Sequence, residues 1–373
     1  MQNTNGPSSG ESEMAGRVMT VNGPIDPSKV GACIMHEHLF IDFWRDKEPG
    51  YNAPATEVAH WNEKLTLENL HLARSQKPIK DNYLLTDEAV TIRDVMAYRN
   101  LGGNTIVDVT NIGLGRDPLA LQRVANATGL NIVMGSGWYQ RFYHPKDMDQ
   151  RTVEDLADEI IQDINVGVGN TGVRSGIIGE VGINGNPLTP NEEKSVRASA
   201  RASRATGAAI SFHHGGTGRE KFKVASMLGE EGADLTRTIY GHSNTYAGDV
   251  PFLLELLDLG VYVQFDTLGR VMAPVARRPV TLGPPEIHHP QVAADVLVAE
   301  AIPQLIEAGY EDRILLSQDV CMKIHLKAYG GTGYAFILEK FLPYLRTQGV
   351  TEEQIHKMMV ENPRRVLTFA EPG

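Results

Sequence analysis

Residues 175–181 read Ser175-Gly176-Ile177-Ile178-Gly179-Glu180-Val181. Apolar residues at consecutive positions, not alternate ones, mark a strand covered on both faces. The carboxylate near its end carries an ionisable group to the strand's C-terminal edge. Seven further runs share this form: Cys33–Phe40, Asn104–Thr110, Asn131–Trp138, Ala209–His214, Thr238–His242, Val261–Asp266 and Arg313–Val320. Helix signals lie between them. Thr189-Pro190-Asn191-Glu192 is a capping box with proline at the first helical position, and Gly207 follows the end. Asp249 precedes Val250-Pro251-Phe252 and the stripe Leu253, Leu254, Leu256 and Leu257, closed by Gly260. Thr351 caps Glu352-Glu353-Gln354 in the same way, and Ala89, Ile92 and Met96 predict the apolar face of an earlier helix ending at Gly102-Gly103.

Eight buried strands alternating with helices predict a TIM (β/α)8 barrel in preference to an open doubly wound sheet. Two connections exceed a simple crossover, one from Asp42 to about Asp87 and one from Thr267 to about Pro290. Both follow a strand, the first and the seventh. They therefore belong on the C-terminal face, where lids and substrate loops gather. The first is aromatic-rich, with Phe43, Trp44, Tyr51 and Trp61, of which Trp44 and Trp61 are candidates either for an aromatic wall or for anchoring the lid. The expected organisation is a disordered leader at 1–15, polar and Gly/Ser-rich, followed by one barrel domain at 16–373.

The chain has 373 residues, with 35 Lys+Arg against 46 Asp+Glu and a net charge of −11. That balance argues against nucleic acid or an anionic membrane surface as partner. No window approaches the roughly 20 apolar residues of a membrane span, so a cytoplasmic protein is expected. Two cysteines, Cys33 and Cys321, cannot build a disulfide framework or a paired metal motif. The 12 histidines are what composition leaves to be explained.

In Met35-His36-Glu37-His38, positions two apart share a strand face, so His36 and His38 point the same way. Two converging imidazoles suit a divalent metal. Alone the pair is weak evidence. Four more strands end in ligand-type residues: Glu180, His213, His242 and Asp319. Each has a bland reading singly, as helix cap, salt bridge or core histidine. Buried carboxylates are costly unless paired or metal-bound, and six such residues at one end of five strands favour a joint metal site. His214, next to His213, belongs on the opposite strand face.

These motifs, together with Gly241-His242-Ser243, Gln318-Asp319, Gly113-Leu114-Gly115-Arg116-Asp117 and Glu361-Asn362-Pro363, resemble the phosphotriesterase family of the amidohydrolase superfamily. The nearest pattern is the branch of phosphotriesterase-related proteins. The resemblance implies two divalent metal ions, with zinc first and manganese, cobalt or iron(II) also suited to nitrogen and oxygen ligands. His36, His38 and Asp319 would hold the more buried ion, His213 and His242 the more exposed one, and Glu180 would bridge them. Many relatives bridge with a carboxylated lysine, but no lysine occurs between Val173 and Asn186. A hydroxide shared between the metals would attack a carbonyl or phosphoryl group. Asp319 would act as general base and then as acid toward the leaving group.

Paraoxon-type relatives carry an acid after the strand-six histidine and a histidine after the strand-seven aspartate, whereas lactonases carry arginine at the latter position. Here the stretches read His242-Ser243-Asn244-Thr245 and Phe265-Asp266-Thr267-Leu268. The expected activity is therefore hydrolysis of a small-molecule amide, ester or lactone carbonyl, with an N-acyl amine favoured. Phosphotriesterase or lactonase action is the alternative, and a metal-free ligand-binding barrel is a more distant one. Tyr139, Arg270 and Lys323 are candidate substrate contacts, and Arg277, Arg278, His288 and His289 extend a basic rim suited to an anionic substrate. The resemblance also suggests a homodimer.

Overall fold

All eight apolar runs form strands: β1 (Ala32–Glu37), β2 (Gly103–Asp108), β3 (Asn131–Ser136), β4 (Ile177–Ile183), β5 (Ile210–His214), β6 (Thr238–Tyr240), β7 (Tyr262–Phe265) and β8 (Ile314–Leu316). They lie parallel, each beside its neighbour in sequence. The computed structural model describes residues 14–44, 55–75, 77–185, 187–214, 218–270 and 295–373. Residues 1–13 of the expected leader, Tyr51 of the first loop, and Arg277, Arg278, His288 and His289 of the basic rim lie outside the described residues.

Alternate strand residues build two apolar layers. Cys33, Met35, Val107, Val133, Ile177, Ile239, Tyr262 and Leu315 belong to one cluster, joined by Val18, Val366 and Leu367 from the chain's two ends. Ile34, Ile106, Ile132, Ile178, Val263 and Leu316 belong to the other, with the helix faces. This is the arrangement of a packed (β/α)8 barrel. Closure between β8 and β1 relies on side chains as well as backbone. Asp319 N–H donates to the His36 carbonyl at 3.1 Å, and His36 N–H donates to the Ser317 hydroxyl at 2.8 Å. The fully buried Glu37 carboxylate accepts from Gln318 N at 2.8 Å and Val320 N at 2.9 Å. Burial pushes its pKa up to about 7, against those hydrogen bonds.

Helices α1 (Glu88–Asn100), α2 (Pro118–Thr128), α3 (Val153–Asn165), α4 (Pro190–Thr206), α5 (Glu220–Glu230), α6 (Val250–Leu257) and α7 (Asp295–Glu307) pack between and outside the strands. The capping box of Thr189 and Glu192 forms, and α4 ends at Gly207 with φ 77°. Asp249 caps α6, and Thr351 pairs with Gln354 as expected. One expectation is corrected. The buried face of α1 is Thr91, Asp94, Val95 and Tyr98, with Ile92 and Met96 half-buried and Ala89 exposed. Polar groups on that face are satisfied, since Asp94 accepts from Lys327 N at 2.7 Å and Tyr98 donates to the Ala32 carbonyl at 2.8 Å. Hydrophobicity therefore did not mark the face.

Both long connections occur after β1 and β7. The first contains a short helix, Leu70–Arg74, and a two-residue antiparallel pairing of Ile41–Asp42 with Leu84–Leu85. Of the second, residues 271–294 are not among those described.

Candidate metal centre

Glu180 stands at the centre of the strands' C-terminal ends, 2 % exposed. Its Oε2 lies 3.1 Å from His36 Nε2 and 2.8 Å from His213 Nδ1, and its Oε1 lies 3.3 Å from His38 Nε2. His242 Nε2 is 3.8 Å from the same Oε2 and 2.7 Å from His213 Nδ1. Asp319 Oδ1 is 3.3 Å from His38 Nε2. The structure thus brings together all six residues expected from the sequence. Two subsets, His36–Glu180–His242 and His36–His38–Asp319, have ligand atoms mutually close enough to hold one ion each.

The remaining imidazole nitrogens are held from behind. His38 Nδ1 is 2.8 Å from Thr110 Oγ1. His242 Nδ1 is 2.8 Å from Asp266 Oδ1, and His36 Nδ1 lies 3.3 Å from Asp266 Oδ2 and 3.0 Å from the Gln264 amide. Fixing one nitrogen of each ring leaves the other free to coordinate. His36 Nε2 is buried, and among the described residues it faces only ligand-type groups, Glu180 Oε2 at 3.1 Å first among them. The donor set therefore fits divalent metal.

Electrostatics agree. Burial opposes charge on Glu180, but the His213 and His36 imidazoles overcome it and hold its carboxyl well below the usual range. Asp266 is likewise lowered to about 2, with His242 and then His36 outweighing burial. For Asp319, Arg270 and then His38 outweigh burial and lower its pKa. In turn, and against burial, Glu180 pushes His36 up to about 9, and Asp319 with Glu180 pushes His38 up to about 10, so a metal binding here competes with protons. His242 and Asp319 both sit in the left-handed region, with φ 53° and 50°. This region is uncommon for non-glycine residues, though aspartate and histidine enter it more readily than most.

Tyr139 follows β3, and its hydroxyl lies 3.2 Å from His213 Nδ1. Arg270 pairs with the Asp319 carboxylate and donates to its carbonyl at 3.2 Å. Lys323 is committed elsewhere, to Asp81 at 2.8 Å, where it ties the turn after β8 to the first loop. Trp44 and Trp61 meet edge to face at 4.4 Å, anchoring that loop. Of His214, only its place in β5 is described.

The partners behind the histidines were not read from the sequence. Asp266 had an available signal, since Val261–Phe265 is an apolar run ending on a carboxylate, just as Glu180 follows one. Asn244 accepts from Asp266 N at 2.7 Å and Thr267 N at 3.2 Å. It clamps the backbone that presents Asp266. Gln140 and Gln264, being neutral amides, offered no such signal.

Residues 16–367 match the Phosphotriesterase family. The chain belongs to the phosphotriesterase family. It is 32 % identical to the N-acetyltaurine hydrolase of Pongo abelii over 96 % of this chain and 99 % of that one. It is 34 % identical to the phosphotriesterase-related protein of Nematostella vectensis, over 95 % and 99 %. A crystal structure of a resiniferatoxin-binding protein from Rhodobacter sphaeroides superposes with TM-score 0.85 at 36 % identity, covering 96 % of this chain and 98 % of that one. As a member of the phosphotriesterase family, the protein is a metal-dependent hydrolase with a His/Glu/Asp cluster able to bind metal. Among the described residues, no helix is long and apolar enough to cross a membrane.

Proposed function

We propose that the chain holds two divalent cations and hydrolyses a small N-acylated amine, with an anionic substituent on the amine side. The observation that carries this reading is the Glu180 carboxylate, whose Oε2 faces His36, His213 and His242 and whose Oε1 faces His38. His36, His38 and Asp319 would hold the more buried ion, and His213 and His242 the more exposed one. Glu180 would touch both. Zinc suits these ligands best, and manganese, cobalt and iron(II) suit them too. Bound there, the ions supply Lewis acidity and make water a nucleophile near neutral pH.

The protein's own groups do the rest. Asp319 takes the proton of the attacking water and returns it to the departing amine nitrogen. The Tyr139 hydroxyl, beside His213, orients the acyl oxygen. Arg270, whose guanidinium pairs with Asp319, meets a sulfonate or carboxylate on the leaving amine. The curated N-acetyltaurine hydrolases, similar over nearly the whole chain, support this substrate class. Residues 16–373 are read as one domain, since Gly16 N–H donates to the Phe369 carbonyl and Phe369 N–H to the Arg17 carbonyl, each at 2.9 Å.

A second reading, lactone hydrolysis, is favoured by one contact. Thr267 stands where lactonases carry arginine, but Arg270 brings a guanidinium to Asp319 from three residues further on. The test is elemental analysis followed by a panel of N-acyl amino sulfonates, N-acyl amino acids, lactones, aryl esters and aryl phosphotriesters. About two metals per chain and preference for an anionic N-acyl amine are expected. A lactone preferred by orders of magnitude would select the second reading, and a stable metal-free protein would defeat both.

A further inference from the structure

We propose that Asp295 and Thr332 set the protein's preference for an anionic substrate, by holding Gly269 and so fixing where the Arg270 guanidinium reaches. This rests on the reading of Arg270 given above. An arginine side chain is long and rich in rotamers, so it binds an anion more tightly when its root is held in advance.

The root of Arg270 is gripped on both polar groups of the residue before it. Gly269 N–H donates to the two oxygens of Asp295, at 3.2 and 3.1 Å, which ties it to the first residue of α7. The Gly269 carbonyl accepts from the Thr332 hydroxyl at 2.8 Å, which ties it to the connection after β8. One residue earlier, Leu268 N–H donates to the Ser317 carbonyl at 3.4 Å. Gly269 has φ 77°, and a Cβ there would stand 2.5 Å from Phe336 Cγ and 2.9 Å from Thr332 Oγ1. Glycine is therefore required, both for the backbone angle and for the close approach of those two side chains.

From that root Arg270 Nη2 donates to the Asp319 carbonyl at 3.2 Å and pairs with its carboxylate. Among the described residues, the side chains of Asp295 and Thr332 bond to Gly269 and to none of the six cluster residues. The Asp295 carboxylate pairs with no cation there, so its charge serves Gly269 together with the N-terminus of α7. Both are positioning residues, and they act through Arg270. A guanidinium fixed in this way also selects one separation between amide and anion. The clamp thus makes the site a ruler for the spacer that joins them.

The experiment is steady-state kinetics with an N-acyl amino sulfonate and a neutral N-acyl amine of the same size, on the parent and on clamp variants. Thr332→Val and Asp295→Ala should each raise KM for the sulfonate about 3- to 10-fold, the value of one hydrogen bond. The sulfonate's kcat should move less than its KM, and the neutral amine should be affected far less. Thr332→Ser, which keeps the hydroxyl, should match the parent. Thr332→Val should also flatten the parent's preference among sulfonates of different spacer length. In an Arg270→Ala background it should raise KM no further, because the contact it supports is already gone. Losses that add to that of Arg270→Ala, or equal losses on both substrates, would overturn the proposal. So would a Thr332→Val protein with the parent's KM and spacer preference. If Asp295→Ala does not fold, Thr332→Val decides alone. A parent indifferent to the sulfonate would instead defeat the anionic reading of Arg270, and the proposal with it.

Discussion

The Glu37 carboxylate lies 2.7 Å from the Ser317 hydroxyl, across the seam where the last strand meets the first. Glu37 therefore belongs to the barrel's closure, although it sits between the two histidines of His36-Glu37-His38. It also holds the turn from which Asp319 projects, through Gln318 N and Val320 N.

Replacing Glu37 with leucine would leave buried N–H groups of that turn without an acceptor. A cost of about 2–4 kcal/mol is expected, from the desolvation of each orphaned donor. Urea denaturation of the metal-free protein measures it. A loss below about 0.5 kcal/mol, the range of an ordinary surface substitution, would contradict the seam's importance.

Asp266 has one oxygen on His242 Nδ1 and the other toward His36 Nδ1. Asp266→Asn should therefore weaken both proposed ions, each by about 10- to 100-fold. Metal titration measures both affinities, and selective loss of one ion would show that Asp266 serves only one ligand.

Arg270→Ala should raise KM for an N-acyl amino sulfonate about 10-fold or more, the value of one charge-assisted contact. A neutral N-acyl amine of the same size should be affected far less. Steady-state kinetics on the pair decides it. Equal losses on both would assign Arg270 to Asp319 alone and not to the substrate.

Lys221 is fully buried in α5, its Nζ without a hydrogen-bond partner among the described residues and 4.8 Å from the Tyr240 ring. Burial lowers its pKa from 10.5 to about 7. Between those values the unfolded chain binds the proton that the folded chain rejects, so this residue's contribution makes stability rise with pH. The contribution is complete above about pH 10.5 and is lost as pH falls toward 7. Lys221→Met should melt a few degrees higher than the parent at pH 7, with the gap closing by pH 10. A gap independent of pH would mean the ammonium is not what destabilises.

The sequence made the barrel legible because a strand buried on both faces leaves an unbroken apolar run, as at Ile177-Ile178 or Ile314-Leu315-Leu316. The six cluster residues were legible because a charged or imidazole side chain at the end of such a run has few bland explanations. The face of α1 was not, because Asp94 and Tyr98 are buried by hydrogen bonding, which no hydrophobic period records. The contact of Gln140 with His213 was hidden for a similar reason, since residues 73 apart in sequence meet only once β3 and β5 flank β4.

His242 and Asp319 adopt the left-handed backbone that glycine enters freely and that aspartate and histidine enter more readily than most side chains. Asparagine suits the same bend. At either position it would remove a proposed ligand while keeping the turn of the chain, so the chemistry of these two strand ends is separable from their shape.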